Sequence, residues 1–149
     1  KSIVESVVDD FNRIYEEKRG IIIDLSFDAS RSNFNILGIE NRIEQILANL
    51  LDNAISFSED NKKIKVEILK DQSDKVILRI VDQGKGFKEK KLNKIFDRFY
   101  SNRPDKFGEH SGLGLNIVKN LVELHGGTIV ASNNPDKIGA RVEIYFPKV

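Results

Sequence analysis

Residues 39–57 read IENRIEQILANLLDNAISF and form the strongest helical pattern in the chain. Apolar residues recur there every three or four positions, which places them on one face of a helix. They are Ile43, Ile46, Leu47, Leu50, Leu51, Ala54 and Ile55. Because a helix with one apolar face has to pack against another layer, this segment predicts where the core lies.

The same helix carries a polar stripe beside the apolar one. Asn49, Asn53 and Ser56 are spaced i, i+4 and i+7, so they share one face. Asparagine favours caps and turns over helix interiors, and two of them one turn apart indicate a binding partner. An amide oxygen is a hard, neutral ligand of the kind that Mg²⁺ accepts beside phosphate oxygens. A solvated helix face is the alternative, and this segment alone leaves both interpretations open.

Two further long helices are predicted, one at the start of the chain and one near its end. Residues 1–19 form an amphipathic helix that Gly20 stops, and residues 112–124 form the later one. Apolar residues recur at helical spacing in the first, namely Ile3, Val4, Val7, Val8, Phe11, Ile14 and Tyr15. The residues of the later helix that are expected to face inward are Leu113, Ile117, Leu121 and Leu124. Between the helices we expect a short helix at 89–96 and a mobile loop at 101–111.

Six segments have the composition and alternation of strands. They are residues 21–27, 34–37, 63–69, 76–81, 128–131 and 141–146. Residues 76–81 are apolar almost throughout, which predicts a central strand. Consecutive strands imply antiparallel pairs, and three helices suffice to cover one face of the sheet, so the predicted fold class is α+β, a two-layer α/β sandwich. A parallel nucleotide-binding fold needs strict strand–helix alternation, which this order lacks.

Composition bounds the class of protein. A chain of 149 residues with 40% hydrophobic and 32% charged residues fits one globular domain spanning residues 1–149. Its net charge of +1 gives no field that would attract nucleic acid or an anionic membrane. The absence of cysteine excludes disulfides, thiolate catalysis and cysteine-ligated zinc. With no long apolar run and no initiator methionine, we expect a soluble piece of a longer protein.

Two glycine-containing segments are further candidates for chemistry. Asp82 ends the central strand and precedes Gly84 and Gly86. Its carboxylate could accept a hydrogen bond from a purine amino group, and the glycines would let the backbone approach a planar base. Residues 111–115, Ser-Gly-Leu-Gly-Leu, open the last helix, where bare amides can bind phosphate. A strand-ending turn and a glycine-rich helix entry explain the same residues, and neither segment decides alone.

In combination, these segments resemble the sequence boxes of bacterial sensor histidine kinases. Residues 49–54 resemble the N box, 82–86 the first glycine box, 95–100 the F box and 111–115 the second glycine box. Residues 124–128 and 139–140 stand where that family has its closing strand and late glycine. The resemblance runs from about residue 21 to the end, and four boxes in order are far more specific than any single motif.

The resemblance implies the ATP-binding sandwich of gyrase, Hsp90, histidine kinases and MutL, the GHKL superfamily. Its mixed, mostly antiparallel sheet carries about three helices on one face. By this resemblance Asn53 ligates Mg²⁺, Asn49 lies near the phosphates, and Asp82 reads the adenine amino group. The other implied nucleotide-binding residues are Gly84, Gly86, Phe87, Phe99, Lys106, Ser111, Gly112, Leu113, Gly114 and Leu115, under a lid at 101–111. Asn49, Asn53, Arg98 and Arg103 are the implied catalytic residues.

Asn49 also bears on the type of reaction. Hydrolysing members of the superfamily carry a glutamate one helical turn before the magnesium asparagine. The amide of Asn49 cannot accept a proton from water, so the resemblance implies phosphoryl transfer rather than hydrolysis.

The chain departs from the family pattern at Ser56, Ser101 and His110. Many of these kinases have lysine, arginine and glycine at the respective positions, and losing two cations could slow transfer. Arg98, Arg103 and Lys106 are the cations that could compensate.

The phosphate acceptor is expected outside this chain. His110 belongs to the lid, and His125 sits at a helix end where a cation suits the dipole, so we interpret it as structural. The resemblance implies that the chain binds Mg·ATP without phosphorylating itself. The implied partners are the dimerisation domain of the same kinase, which bears the acceptor histidine, and a response regulator, with no nucleic acid and no direct membrane contact. A cytoplasmic location is expected, the parent kinase being the part that an inner membrane could anchor.

Two alternatives are kept. One is a stand-alone serine kinase or anti-sigma factor of the same superfamily, against which the truncated-looking start at Lys1 argues. The other is a nucleotide-binding pseudokinase, to which Ser56 and Ser101 lend weight.

Overall fold

The computed structural model describes residues 2–28, 38–58, 61–73, 75–82, 114–133 and 139–147. In chain order the elements are α1 (Ser2–Arg19), β1 (Ile22–Phe27), α2 (Glu40–Phe57), β2 (Lys63–Lys70), β3 (Val76–Val81), α3 (Gly114–Leu124), β4 (Thr128–Asn133) and β5 (Ala140–Phe146). These bounds agree closely with the periodicity of the sequence and confirm the α+β class. The predicted strand at 34–37, the short helix at 89–96 and the lid at 101–111 lie outside the described residues.

In the part of the chain that the structure describes, five strands form one sheet in the order β1-β2-β3-β5-β4. β3 therefore lies in the middle, as its apolar sequence predicts. β1 pairs parallel to β2, whereas the other three pairs are antiparallel. The rule that consecutive strands pair antiparallel did not predict the parallel pair. This pair forms because α2 connects β1 to β2 as a crossover. The sheet is thus mixed and mostly antiparallel.

The core lies between the three helices and one face of this sheet. Ile46, Leu47 and Leu51 of α2 are fully buried, and they belong to one apolar cluster with alternate residues of β2, β3 and β5. Each such side chain contributes about 2 kcal/mol through burial. The intervening strand residues face the other side, where Arg79 pairs with Glu143 at 2.9 Å. One polar and one apolar face follow from the two-residue period of a strand.

One residue that was expected to face inward is exposed. Leu124 of α3 is 79% exposed, so that prediction was wrong. Ile14, which belongs to the apolar periodicity of α1, is 54% exposed. The buried residues of α3 are Leu115, Val118, Leu121 and Val122, with Ile117 partly buried against the cluster. The predicted apolar stripe was drawn through Leu113 and Leu124. It is therefore rotated from the observed buried face by roughly 100°, the angle between successive helical residues.

Asn12 of α1 completes the outer edge of β1. Its Nδ2 donates to the Ile23 carbonyl at 3.0 Å, and the Ile23 N–H donates to its Oδ1 at 2.7 Å. Among the strands that the structure describes, β1 lies at an edge of the sheet, and unpaired edge groups are templates for strand addition. The side-chain amide therefore acts at Ile23 as a one-residue substitute for a neighbouring strand.

Candidate functional site

The polar stripe of α2 is buried where it nears the helix end. Asn53 is 5% exposed and Ser56 is 2% exposed, while Asn49 is partly buried. This burial rules out a solvated face for Asn53 and Ser56. Because a buried amide is costly unless hydrogen-bonded, a mid-helix asparagine at this position indicates a specific role.

Ser56 is committed to the backbone of the same helix. Its Oγ donates to the Asn53 carbonyl oxygen at 2.8 Å. Two residues later Ser58 closes the helix, because its N–H and its Oγ both donate to the Ala54 carbonyl, at 3.0 and 2.8 Å. Ser56 therefore supports the turn that contains Asn53 and supplies no positive charge to a ligand.

Asp82 is held by a residue that follows it by 58 positions. Its Oδ1 accepts the Ala140 N–H at 3.0 Å, and its own N–H donates to the Ala140 carbonyl at 3.0 Å. The last regular pair of the two strands is Val81 with Arg141, so the carboxylate extends this ladder by one step. Asp82 is 5% exposed, and a carboxylate fixed in this way is an oriented acceptor for a ligand N–H group.

The elements that carry these residues pack together. α2 contacts both β3 and α3. Leu78 and Ile80 belong to the core cluster beneath α2, and by strand alternation Asp82 continues on their side of β3. α3 begins at Gly114, where a helix presents its first amides, and the Leu115 side chain is buried in the core. Only the backbone of Leu115 is therefore suited to binding a ligand.

His125 joins the end of α3 to the start of α2. Its Nδ1 lies 2.7 Å from the Leu121 carbonyl, and the Ile39 N–H donates to its Nε2 at 3.2 Å. With the Ile39 N–H donating to Nε2, Nδ1 is the ring nitrogen placed to donate to the Leu121 carbonyl. His125 is structural as expected, and these two hydrogen bonds give it that role.

The remaining site predictions lie outside the described residues. They are Gly84, Gly86, Phe87, Arg98, Phe99, Arg103, Lys106, Ser111, Gly112 and Leu113. In the described part of the chain there is no group of three or more His, Cys, Asp and Glu side chains that could hold a metal. The donor set near the end of α2 is instead a buried amide, which suits a hard cation that keeps most of its ligands from water or phosphate.

Sequence reasoning missed the partners that hold the site residues. Ala140 was seen only as part of a late glycine segment, and Ile39 only as the start of a helix. Both act through backbone atoms on residues far away in the chain, a relationship that no local periodicity reveals. The glycines around them were the available signal: Gly139 has φ +82°, and a Cβ on Gly38 would come within 2.9 Å of the His125 ring.

Comparison with known proteins identifies the family. Residues 38–149, more than half of the chain, match the family "Histidine kinase-, DNA gyrase B-, and HSP90-like ATPase". The chain belongs to this ATPase family. The resemblance read from the four boxes is thereby confirmed, and so is ATP as the ligand of the domain.

Individual relatives of this ATPase domain are sensor kinases. The sensor protein ChvG of Agrobacterium fabrum is 36% identical in an alignment 143 residues long, which covers 92% of this chain and 24% of ChvG. The domain thus spans about a quarter of that relative.

Solved structures agree with the fold. The catalytic domain of histidine kinase ThkA superimposes with a TM-score of 0.82 at 27% identity, covering 99% of this chain and 91% of that one. ThkA in complex with the response regulator TrrA gives a TM-score of 0.80 at 26% identity, covering 99% of this chain and 40% of that one. The α+β sandwich is therefore confirmed as that of histidine kinase ATPase domains. Within the described residues no helix combines the length and the apolar character that crossing a bilayer requires.

Proposed function

We propose that this domain binds Mg·ATP and transfers the γ-phosphoryl group to a histidine on the dimerisation domain of the sensor kinase to which it belongs. The observation that carries the proposal is the buried, oriented carboxylate of Asp82 in a histidine kinase ATPase fold. In the transfer, the bond between the γ-phosphorus and the bridging oxygen of ATP breaks, a nitrogen–phosphorus bond forms on the acceptor imidazole, and ADP leaves.

Asp82 is assigned to the adenine end of the nucleotide. Ala140 holds its carboxylate through Oδ1, which turns the acidic group into an acceptor of fixed direction. The exocyclic amino group of adenine is a donor, whereas guanine has an acceptor at the same place. An oriented acceptor therefore favours ATP over GTP.

Asn53 and the start of α3 are assigned to the phosphate end. Asn53 provides the buried amide oxygen that would hold Mg²⁺, and the amides at Gly114 and Leu115 would bind phosphate oxygens at a helix N-terminus. When bound, Mg²⁺ neutralises phosphate charge and orients the transferred group. Arg98, Arg103 and Lys106 remain the proposed cations of the lid side, and Phe87 and Phe99 the proposed contacts near the base.

Asn49 sets the outcome of the reaction. It lies one turn before Asn53 on α2 and offers an amide where hydrolysis would need a base. The proposed acceptor is therefore a protein histidine rather than water. The likeness to ThkA, whose complex contains a response regulator, supports such a regulator as the second partner. Because the substrate is ATP, we place the domain's work in the cytoplasm.

A pseudokinase is the second candidate, and one observation favours it. Ser56 stands where many of these kinases have lysine, and its hydroxyl is buried against the Asn53 carbonyl. No cation from this position can reach a phosphate. A pseudokinase would still bind ATP but would transfer nothing.

Transphosphorylation separates the two functions. The chain is incubated with Mg·ATP labelled in the γ-phosphate, with and without the dimerisation domain of its own kinase. We expect acid-labile label on the dimerisation domain, none on the chain alone, and none with Asn53→Ala. Nucleotide binding without any transfer would favour the pseudokinase.

A further inference from the structure

Arg19, the last residue of α1, forms hydrogen bonds to the end of α2. Its two terminal guanidinium nitrogens donate to the carbonyls of Ile55 and Ser58, at 2.9 and 2.8 Å. The Arg19 carbonyl in turn accepts the Asn61 N–H at 3.0 Å. Gly20, with φ +67°, then turns the chain away, and a Cβ there would collide with the Asn61 side chain. The end of α1 is therefore built around the segment that leaves α2.

This contact supplies a positive charge that the last turn of α2 lacks. The last carbonyls of a helix have no intrahelical partner and carry partial negative charge, which a cation stabilises. The last turn of α2 contains no basic residue of its own. Arg19 delivers the missing cation from another helix, and it does so in a part-buried position where solvent screens the charge less.

The last turn of α2, which Arg19 binds, is also the turn that supports Asn53. Ser56 holds the Asn53 carbonyl at 2.8 Å, and Ser58 holds the Ala54 carbonyl with both its N–H and its hydroxyl. Arg19 binds the next carbonyl along the helix, that of Ile55, and then that of Ser58. Without the guanidinium this turn would fray, because helix ends open first.

We propose that Arg19 is a positioning residue for the metal-binding amide of Asn53, so that the seat of α1 against α2 sets how strongly Mg²⁺ contributes to ATP binding. The inference rests on the function proposed above. Arg19 acts through the last turn of α2 and not by touching the nucleotide. Asp82, which is proposed to recognise adenine, directly follows β3 and is held by Ala140 of β5. Adenine recognition should therefore not respond to a change at Arg19.

The test measures the dissociation constant of ATP for the 149-residue chain by calorimetry, in Mg²⁺ and in EDTA. The ratio of the two constants is the magnesium gain. For Arg19→Gln we expect this gain to fall about fivefold, a shift of about 1 kcal/mol, with the constant in EDTA unchanged. The magnesium gain of Arg19→Lys, which keeps one cationic donor, should lie between those of the wild type and Arg19→Gln. Arg13→Gln is the matched control, since Arg13 lies on the same helix, is largely exposed and pairs within α1, at 2.6 Å from Asp10.

The outcomes separate a failure of the proposed function from a failure of the inference about Arg19. If the wild-type chain has no magnesium gain, the proposed function fails and the inference with it. If wild type has the gain, Asn53→Ala loses it and Arg19→Gln keeps it, the inference alone is wrong. Equal weakening of ATP in Mg²⁺ and in EDTA would reduce Arg19 to a structural cap and also overturn the inference.

A second variant keeps the test valid if Arg19→Gln does not fold. Ser56→Ala removes the bond to the Asn53 carbonyl without touching α1. It should lower the magnesium gain in the same direction. In the double variant with Arg19→Lys, the loss of magnesium gain should be smaller than the sum of the two single losses, because both changes act on one turn. Full additivity would contradict the proposal.

Discussion

The Asp82 carboxylate and the Ala140 backbone form a closed pair of hydrogen bonds across the end of the central strand. The Ala140 N–H donates to Asp82 Oδ1 and the Asp82 N–H donates to the Ala140 carbonyl, each at 3.0 Å. Both residues are buried. The carboxylate is therefore ordered before a ligand arrives, and a pre-ordered acceptor loses little conformational entropy on binding.

Asp82→Asn should separate the structural role of this residue from its role in binding. The new amide oxygen can still accept the Ala140 N–H, which leaves the NH₂ group directed away from Ala140. That group would oppose the adenine amino donor, so ATP affinity should fall about 10- to 100-fold while GTP binding improves relative to ATP. Calorimetry with both nucleotides measures this. Unchanged ATP affinity would mean that adenine binds elsewhere.

Asp82→Ala is the companion change, and it should destabilise the fold itself. It leaves the buried Ala140 N–H without its acceptor, at a cost of about 1–3 kcal/mol in the free energy of unfolding. Denaturant titration checks this, with Asp82→Asn expected to lose much less. Equal losses for both variants would show that the bond to Ala140 contributes nothing.

Asn49→Glu should convert part of the nucleotide turnover to hydrolysis. The residue is partly buried and one turn from Asn53, so a carboxylate there could accept a proton from an attacking water. We expect ADP release by the isolated chain to rise about tenfold, well below the 10²- to 10⁴-fold that an optimised base provides. Asn49→Gln, which keeps the amide, is the control. The idea fails if both variants release ADP at the wild-type rate.

Periodicity predicted most elements within one or two residues, because α1, α2 and the strands each pack one face on the core. For α3 the buried face was predicted wrongly, because its leucines suggested an apolar stripe that includes Leu124, and Leu124 is exposed to solvent. The choice between a solvated face and a site on α2 needed the burial of Asn53, a tertiary quantity. Likewise, the bonds that hold the site join residues far apart in sequence, such as Arg19 with Ile55 and His125 with Ile39. No local pattern encodes such pairs.

His125→Phe should loosen α2 against α3. The change keeps the ring size but removes the bonds to the Leu121 carbonyl and the Ile39 N–H. We expect a loss of about 1–2 kcal/mol in the free energy of unfolding. Glu123→Ala, an exposed change on the same helix, should be nearly neutral. The measurement is denaturant unfolding of the three chains.

Gly38→Ala tests the same contact from the other side. A Cβ on Gly38 would lie 2.9 Å from the Cδ2 atom of His125, closer than such atoms approach without a shift. Gly38→Ala should therefore destabilise the wild type but be tolerated beside His125→Ala, which removes the ring. Additive effects of the two substitutions would rule out this crowding.

Asn12→Ala should expose the outer edge of β1. Both backbone groups of Ile23 would lose their side-chain partners, so we expect a loss of about 1–2 kcal/mol and faster hydrogen exchange at the Ile23 amide. Asn12→Asp should not rescue, since a carboxylate can accept from the Ile23 N–H but repels the Ile23 carbonyl. Asn120→Ala, an exposed asparagine within α3, is the matched control and should be neutral or slightly stabilising, because alanine is the better helix former. If Asn12→Ala behaved like this control, the amide would not be pairing with the edge of the sheet.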